Sequence, residues 1–227
     1  MTGDATETLQ VFYPYQRLLE AGYEVDIAAP EKRRLQFVVH DFVDGFDTYT
    51  EKLGHTWPAD VALRDVDPSD YVALVVPGGR APEYIRNDDD AKRIVRHFFE
   101  TNAPVAGLCH GPLLAAAGVL HGRTTSAYPA LQIDVELGGG TFENGAGIVD
   151  GNLVSGRAWP DNAAWMREFM IVLEASRGLA GVGEQTGAQP ADTWSEATRA
   201  RGMADNQTRE PAGGYDTQPI ERDRLEN

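Results

Sequence analysis

Short apolar runs alternate with amphipathic stretches from about residue 23 to residue 176, and this alternation constrains the fold more than any other feature. Strands are predicted over 23–29, 71–76 and 104–108. The last two lack apolar–polar alternation, which is typical of strands covered on both faces of a parallel sheet. Helices are predicted from residue 7 or 8 to 21, with Pro14 expected to kink or break the first turn, and over 88–100, 111–120 and 160–175. The chain is therefore expected to be an α/β three-layer sandwich around a mostly parallel, flavodoxin-like sheet.

The composition divides the chain into a folded part and a tail. Residues 1–177 form the predicted α/β domain. Within it, the polar and aromatic segment 31–61 is predicted to make a hairpin or flap over the edge of the domain, and long excursions of this kind are often functional. Residues 178–227 have no apolar periodicity and are predicted to be a disordered acidic tail. Partial docking of this tail through Trp194 or Tyr215 stays open as an alternative.

The charge and the cysteine content exclude several classes of protein. The 227 residues include 35 acidic and 20 basic side chains, a formal charge of −15 that disfavours nucleic-acid partners. Such an acidic chain, with nearly all of its basic residues arginine, favours a halophilic protein, since high salt screens self-repulsion. A single cysteine excludes an internal disulfide and a cysteine-rich zinc site. No apolar run approaches membrane-span length, so a cytoplasmic protein without a membrane partner is expected.

The segment VAGLCHGP, residues 105–112, carries the strongest chemical signal. It joins a predicted strand to a predicted helix of small residues through Gly-x-Cys-x-Gly, the pattern of a nucleophile elbow with cysteine in place of serine. The turn places Cys109 at a helix N-terminus, which is expected to lower the pKa of its thiol. The N–H of His110 is a candidate oxyanion donor. A buried and inert cysteine is the alternative interpretation.

A diglycine turn follows the predicted strand 71–76. In the segment PGGRAPE, residues 77–83, glycines at the carboxyl end of a strand allow a backbone N–H to point into the crevice above the sheet. The N–H of Gly79 is therefore the candidate for the second oxyanion donor, and Gly78 is expected to line the substrate pocket.

Together with the segments YPY (13–15) and AYPA (127–130), these motifs resemble the ThiJ/PfpI superfamily, whose fold is similar to that of the class I glutamine amidotransferases. The superfamily includes PfpI-type intracellular proteases, the parkinsonism-associated protein deglycase and cofactor-independent glyoxalases. The resemblance runs from about Thr2 to Leu173. The segments HDF (40–42) and GHT (54–56) in the long excursion resemble the glyoxalase branch known in plants and microbes.

The resemblance implies roles for individual residues. Cys109 is the nucleophile, followed by His110, and Glu7 matches a glutamate whose carboxyl touches the cysteine sulfur in relatives. Glu83 matches a glutamate that reaches the histidine across a subunit contact in PfpI-type assemblies, so a homodimer or larger homo-oligomer is expected. Tyr128 is expected to line the pocket. An exposed loop carboxylate at Glu83 and a packed core tyrosine at Tyr128 are the alternatives.

The start of the sequence departs from the family pattern. Relatives carry a central strand of apolar residues before the Thr-Gly-Asp segment, whereas this sequence begins Met1-Thr2-Gly3-Asp4. The first central strand is therefore expected to be missing or reduced to a stub, through a mis-assigned start codon or a truncation. Its loss would expose ladder groups on both neighbouring strands and loosen the anchor of Glu7.

These residues and the resemblance predict a cofactor-free enzyme in which Cys109 adds to an α-oxoaldehyde such as methylglyoxal. The enzyme would act as a glyoxalase that yields lactate, as a deglycase that acts on early protein adducts, or as both; the substrate class comes from the resemblance alone. Two alternatives stay open: a PfpI-type cysteine peptidase, and a non-catalytic sensor or chaperone whose cysteine oxidises. No metal is expected, because the spacing of His40, Asp41 and His55 fits no standard zinc pattern.

Overall fold

The structure is a computed structural model, and it describes residues 1–112 and 117–177. The predicted tail 178–227, with Trp194 and Tyr215, lies outside these ranges, as does the middle of the helix predicted over 111–120. None of the helices in the described ranges is long and apolar enough to cross a membrane.

The described ranges contain five α-helices, of which the first, third and fifth match predicted helices and the second and fourth were not predicted. They are α1 (Thr8–Glu20), α2 (Ala81–Ile85), α3 (Asp89–Glu100), α4 (Gln132–Leu137) and α5 (Asn162–Ser176). The side chain of Glu7 caps α1 and that of Asp88 caps α3, each by accepting a hydrogen bond from a free N–H of the first turn. The helix α1 runs without a break across Pro14, so of the two expected effects of this proline the broken first turn is wrong and the kink stays a prediction.

The described strands form one four-stranded sheet and three pairs. The strands are β1 (Ala28–Ala29), β2 (Arg34–Asp41), β3 (Thr50–Pro58), β4 (Val61–Ala62), β5 (Leu74–Val76), β6 (Val105–Leu108), β7 (Thr124–Thr125), β8 (Thr141–Phe142), β9 (Ile148–Asp150) and β10 (Leu153–Gly156). The larger sheet has the order β5-β6-β10-β9, and only β9 in it is antiparallel to its neighbour. The segment 31–61 folds as the antiparallel hairpin β2–β3, and β1 and β4 pair in parallel.

Helices cover both faces of this sheet, which gives the predicted three-layer α/β sandwich. On one face, Val105 of β6 packs in a core with Ile94 and Phe98 of α3. On the other face, Ala106 and Leu108 pack in a second core that holds α5 and part of α1. The side chains of β6 therefore alternate between two apolar cores, which explains why its sequence shows no polar face.

The first residues of the chain lie between β1 and β5. The amino group of Met1 donates to the Val75 carbonyl at 2.8 Å, and the N–H of Thr2 donates to the Ala28 carbonyl, also at 2.8 Å. Consecutive N–H groups that bond to neighbours on opposite sides are typical of a central strand. These few residues are thus the stub of a first central strand that the sequence predicts.

Two predicted strands are shorter in the structure than their sequences indicate. Residues 23–27 and 71–73 carry strand-forming side chains but have no ladder partner in the described part of the chain, so only Ala28–Ala29 and Leu74–Val76 are strands there. The predictions over 23–29 and 71–76 are therefore wrong at their amino-terminal ends. The two unpaired segments instead border a cavity of about 720 Å³ below Met1. A strand needs a hydrogen-bonding neighbour, and neither segment has one in a ladder within the described ranges.

Candidate functional site

Cys109 occupies a strained turn directly after β6. Its φ angle is +59°, a left-handed conformation that residues other than glycine rarely adopt. Its N–H donates to the Gly156 carbonyl at 3.0 Å, and its carbonyl accepts from the N–H of Tyr128 at 3.0 Å. A Cβ at Gly111 would overlap the Val76 carbonyl oxygen, so the chain can leave this turn only through a glycine. The strand, strained cysteine and flanking glycine form the predicted nucleophile elbow.

The backbone N–H groups of Gly79 and His110 both act on the sulfur of Cys109, because each of them lowers the pKa of its thiol. The diglycine turn is held tightly against the elbow, because a Cβ at Gly78 would overlap the Cβ of Cys109. Gly79 has a φ of +72°, and a Cβ there would lie 2.5 Å from the Glu7 nitrogen. The structure therefore brings the two predicted oxyanion donors to one point, at the carboxyl ends of β5 and β6.

The thiol of Cys109 is more buried than the sequence suggests. Burial raises the pKa of Cys109 to about 11, although hydrogen bonds from Gln10, Gly79 and His110 act in the opposite direction. The expectation that a helix N-terminus would lower this pKa is wrong for the resting protein, since desolvation of the 3% exposed residue outweighs the donors. The sulfur is therefore a thiol at neutral pH, and it must lose its proton when it reacts.

Glu7 is fully buried at the start of α1. Its Oε2 accepts a hydrogen bond from the N–H of Gln10 at 2.9 Å, while its Oε1 has no hydrogen-bond partner among the described residues. Burial raises the pKa of Glu7 to about 7. The negative charge of Glu7 raises the pKa of Cys109, and the direct contact with the sulfur that the resemblance implies stays a prediction. A buried carboxyl with a pKa near neutrality and one free oxygen can accept or donate a proton.

Gln10, which the sequence analysis missed, also lies at the elbow, and its side chain lowers the pKa of Cys109. Its Oε1 accepts from the N–H of Gly78 at 2.8 Å, so the same side chain ties the diglycine turn to the cysteine. Gln10 follows Glu7 by three residues, and residues at this spacing lie on the same face of a helix. That spacing, applied to the matched Glu7, was the available signal.

His110 and Glu83 form a close pair within one chain. The Nδ1 of His110 lies 2.9 Å from the Oε1 of Glu83, whose side chain is 43% exposed. Burial lowers the pKa of His110, and the negative charge of Glu83 opposes this effect. The helix α2 begins two residues after Gly79 and so brings Glu83 to His110 within one chain, while the expected action of Glu83 across a subunit contact stays a prediction.

The β2–β3 hairpin adds an aromatic wall that the sequence analysis did not identify. The ring of Tyr49 lies 6.1 Å from that of His110 and 5.4 Å from that of Tyr128. On its other side, Tyr49 stacks on His40 with the ring centroids 4.2 Å apart. Tyr128 itself is 7% exposed and borders the elbow, where burial raises its pKa.

An ion pair fastens this hairpin to the turn that carries Gly79. Arg80 donates two hydrogen bonds to Glu51, at 2.6 and 2.8 Å, and Glu51 also contacts the Nε2 of His40 at 3.0 Å. The hydrogen bonds from Arg80 lower the pKa of Glu51 to about 2. Such contacts join residues that are distant in the sequence, so no local pattern could predict them.

Replacing Gly79 by alanine should destabilise the protein by about 2 to 5 kcal/mol, because the cost of a left-handed φ and the cost of an overlap with the backbone add together. The matched control is Gly22→Ala: Gly22 has a φ of +84° but open space around its Cα, so about 1 kcal/mol is expected. Urea unfolding of both variants measures the difference. Equal losses for the two variants would show that the diglycine turn is not tightly packed.

The fold and the site define an α/β sandwich protein with a buried cysteine on a nucleophile elbow. Comparison with known proteins gives the family: residues 1–171 match the DJ-1/PfpI family, and the chain belongs to it.

Two curated relatives illustrate the similarity. The chain is 44% identical over 181 residues to protein DJ-1 homolog D of Arabidopsis thaliana, a match that covers 76% of this chain and 46% of the plant protein. It is 39% identical over 175 residues to deglycase PH1704 of Pyrococcus horikoshii, covering 77% of this chain and 97% of that protein. The chain thus spans about half of the plant relative and nearly all of the archaeal one.

Solved structures agree on the fold. A ThiJ/PfpI domain protein from Brachyspira murdochii superposes with a TM-score of 0.67 at 20% identity, covering 76% of this chain and 92% of that one. DJ-1 of Schizosaccharomyces pombe superposes with a TM-score of 0.62 at 13% identity, covering 80% of this chain and 97% of that one.

Proposed function

We propose that this protein is a cysteine-dependent, cofactor-free enzyme that acts on α-oxoaldehydes, either free, as a glyoxalase, or as their early adducts on proteins, as a deglycase. The observation that carries the proposal is the environment of one sulfur. The N–H groups of Gly79 and His110 both lower the pKa of Cys109, and the buried carboxyl of Glu7, close enough for its charge to raise that pKa, has one oxygen without a hydrogen-bond partner among the described residues. Nucleophile, oxyanion donors and a proton-transfer group are the parts that such a reaction requires.

The reaction with methylglyoxal begins when the sulfur of Cys109 adds to the aldehyde carbon. A carbon–sulfur bond forms, the C=O double bond becomes a single bond, and the thiol proton passes to the new oxygen through a neighbouring base. The N–H groups of Gly79 and His110 stabilise the oxygen while it carries negative charge. The product of this step is a hemithioacetal.

Glu7 then moves a proton between the two adjacent carbons. Its carboxylate removes the hydrogen from the former aldehyde carbon, which gives an enediol, and a proton returns to the neighbouring carbon. The first carbon is oxidised to a thioester and the second is reduced to an alcohol, so no external oxidant is needed. Water hydrolyses the thioester to lactate and restores the thiol.

The names of several relatives support the proposal. The protein from Pyrococcus horikoshii and that from Pyrococcus furiosus are both named deglycases, and they are 39% and 38% identical to this chain. A deglycase acts on the adducts of the same aldehydes that the hemithioacetal chemistry uses.

Cys109→Ala should abolish both methylglyoxal loss and lactate formation, because no other thiol is present among the 227 residues. The assay follows aldehyde and lactate together, with a glycated peptide and a casein digest as parallel substrates. Aldehyde turnover that survives the substitution would overturn the mechanism. Casein cleavage without lactate would instead indicate a peptidase, and peroxide oxidation of Cys109 without any turnover would indicate a sensor.

A further inference from the structure

We infer that Tyr49 determines the substrate specificity of this site: its ring covers Cys109 and restricts the site to small, free α-oxoaldehydes, which excludes bulky aldehydes and aldehyde adducts on proteins. The inference rests on the proposed function and deepens it, since it selects one of the two substrate classes named there. It depends on the position of the β2–β3 hairpin, which follows from the contacts that the hairpin makes on its two sides.

The β2–β3 hairpin extends across the carboxyl end of β6, over the elbow. In the sheet, β6 lies between β5 and β10. On the β5 side, Glu51 of the hairpin accepts two hydrogen bonds from Arg80, in the turn that follows β5. On the β10 side, the ring of Phe42, next to the end of β2, lies 6.5 Å from that of Trp159, which follows β10. Because the hairpin has contacts on both sides of β6, it passes over the end of that strand, where Cys109 lies.

The register of the hairpin directs one of its faces toward the site. His40 pairs with Glu51 across the two strands, and residues two apart along a strand point to the same side, so Tyr49 shares this face. The ring of Tyr49 accordingly stacks on that of His40, with the centroids 4.2 Å apart. Asp41 and Lys52 form an exposed ion pair on the opposite face. The hairpin therefore has a solvent face and a face that presents Tyr49 to the elbow.

Tyr49 is the outer ring of the aromatic group at the sulfur. It meets His110 and Tyr128 edge-on, with ring centroids 6.1 and 5.4 Å away. Both of these side chains are buried, whereas Tyr49 is partly exposed. Tyr49 also packs against the core cluster that contains Cys109 and Tyr128. The ring thus lies between the solvent and the surroundings of the sulfur.

A ring in this position discriminates between substrates by size. Methylglyoxal carries only a hydrogen and an acetyl group on its aldehyde carbon, so it needs little space beside the sulfur. An aromatic substituent, or the side chain and backbone of a modified protein, would have to occupy the volume that the ring of Tyr49 fills. The ion pair between Glu51 and Arg80 opposes movement of the hairpin away from the site. The exclusion is steric, so it requires the ring of Tyr49 and not its hydroxyl group.

The first test measures access to Cys109 with two reagents that share one reactive group, N-ethylmaleimide and the much larger N-(1-pyrenyl)maleimide. The chain has one cysteine, so the mass added to the intact protein reports that sulfur. Both reagents react with the same thiolate, so the ratio of their rates is independent of the pKa of the thiol. In Tyr49→Ala the ratio of the pyrenyl to the ethyl rate should rise about tenfold, the low end of the discrimination that pocket contacts provide. Tyr49→Trp, with a larger ring, should lower the ratio.

Two matched controls separate the ring of Tyr49 from other effects. Tyr49→Phe keeps the ring, and Phe46→Ala removes an exposed ring from the tip of the same hairpin, so both should retain the ratio of the unchanged protein. Thermal melts establish which variants fold. Tyr49→Ala decides the question if it folds, and Tyr49→Trp decides it otherwise. A ratio equal to that of the unchanged protein in the deciding variant would overturn the inference.

The second test compares methylglyoxal, phenylglyoxal and a peptide that carries an early methylglyoxal adduct. In Tyr49→Ala, kcat/KM for phenylglyoxal relative to methylglyoxal should rise about tenfold. The unchanged protein should remove the adduct no faster than the peptide releases free aldehyde by itself, whereas Tyr49→Ala should exceed that rate. Faster removal by the unchanged protein would overturn the inference. If the unchanged protein turned over none of the three compounds, the proposed function would fail, and the maleimide ratio would still decide whether Tyr49 covers the sulfur.

Discussion

Glu7→Gln should lower lactate formation from methylglyoxal by roughly 10²- to 10⁴-fold, the range typical for loss of a general acid–base group. The fold should survive, because the oxygen of the new amide can still accept the N–H of Gln10 and cap α1. Alkylation of Cys109 should be no slower than in the unchanged protein, since the charge of Glu7 raises the thiol pKa and the substitution removes that charge.

The pKa of Glu7 determines the direction in which turnover changes with pH. Glu7 has a pKa raised to about 7 from 4.5, so the carboxylate that removes a proton forms as the pH rises through about 7. Turnover should therefore rise through that range in the unchanged protein, and the rise should be absent from the residual activity of Glu7→Gln. A variant that keeps full activity would assign the proton transfer to His110 instead.

The raised pKa of Glu7 affects stability in the opposite direction. Because the folded pKa of Glu7 is the higher one, the folded state binds more protons between pH 4.5 and about 7, and stability falls as the pH rises through this window. A difference of 1 between the folded and unfolded pKa corresponds to about 1.4 kcal/mol. Urea unfolding of Glu7→Gln should lack this loss, which separates the charge of Glu7 from its role as a helix cap.

Local sequence predicts the nucleophile and its oxyanion donors because a few consecutive residues determine them. The elbow needs glycines next to Cys109, and the second donor needs a diglycine turn after a strand; both signals are visible in short segments. The resemblance assigns the carboxyl–sulfur contact to Glu7, and in the structure both Glu7 and Gln10, which lies one turn further along the chain, affect the pKa of Cys109. The packing of α1 decides which of two residues one helical turn apart lies nearer the sulfur. The local sequence does not specify that packing.

The hairpin residues could not be predicted for a different reason. Tyr49 and Glu51 contact the site only because β2–β3 folds back over it, and the register of a hairpin places them. The sequence also predicts the wrong direction for the pKa of Cys109. A helix N-terminus is a local feature, whereas burial depends on every element packed around the sulfur.

The cavity under Met1 leads to the second large expected effect. The unpaired segments 23–27 and 71–73 border a space of about 720 Å³ between β1 and β5. A five-residue apolar segment fused ahead of Met1, such as Val-Ile-Val-Leu-Val, would run parallel to both neighbours and bond their free N–H and C=O groups. Burial of each aliphatic side chain contributes about 1.5 to 3 kcal/mol, and ordering each residue costs about 1 to 2 kcal/mol. We therefore expect a net gain of about 3 kcal/mol and a rise in Tm of about 6 to 12 °C.

A fused Gly-Ser segment of equal length is the control, because it removes the terminal charge without filling the cavity. Burial lowers the pKa of the Met1 amino group from 8.0 to about 5. The unfolded chain therefore binds more protons between pH 5 and 8, and stability rises with pH in this window by at most about 4 kcal/mol. Both fusions should abolish this rise. At pH 8 the charge of the Met1 amino group no longer lowers the stability of the unfused protein, and only the apolar fusion should be more stable than the unfused protein there. Equal stability of the two fusions at pH 8 would show that the cavity does not accept a strand, because at that pH side-chain burial and ladder pairing are the only contributions that distinguish them.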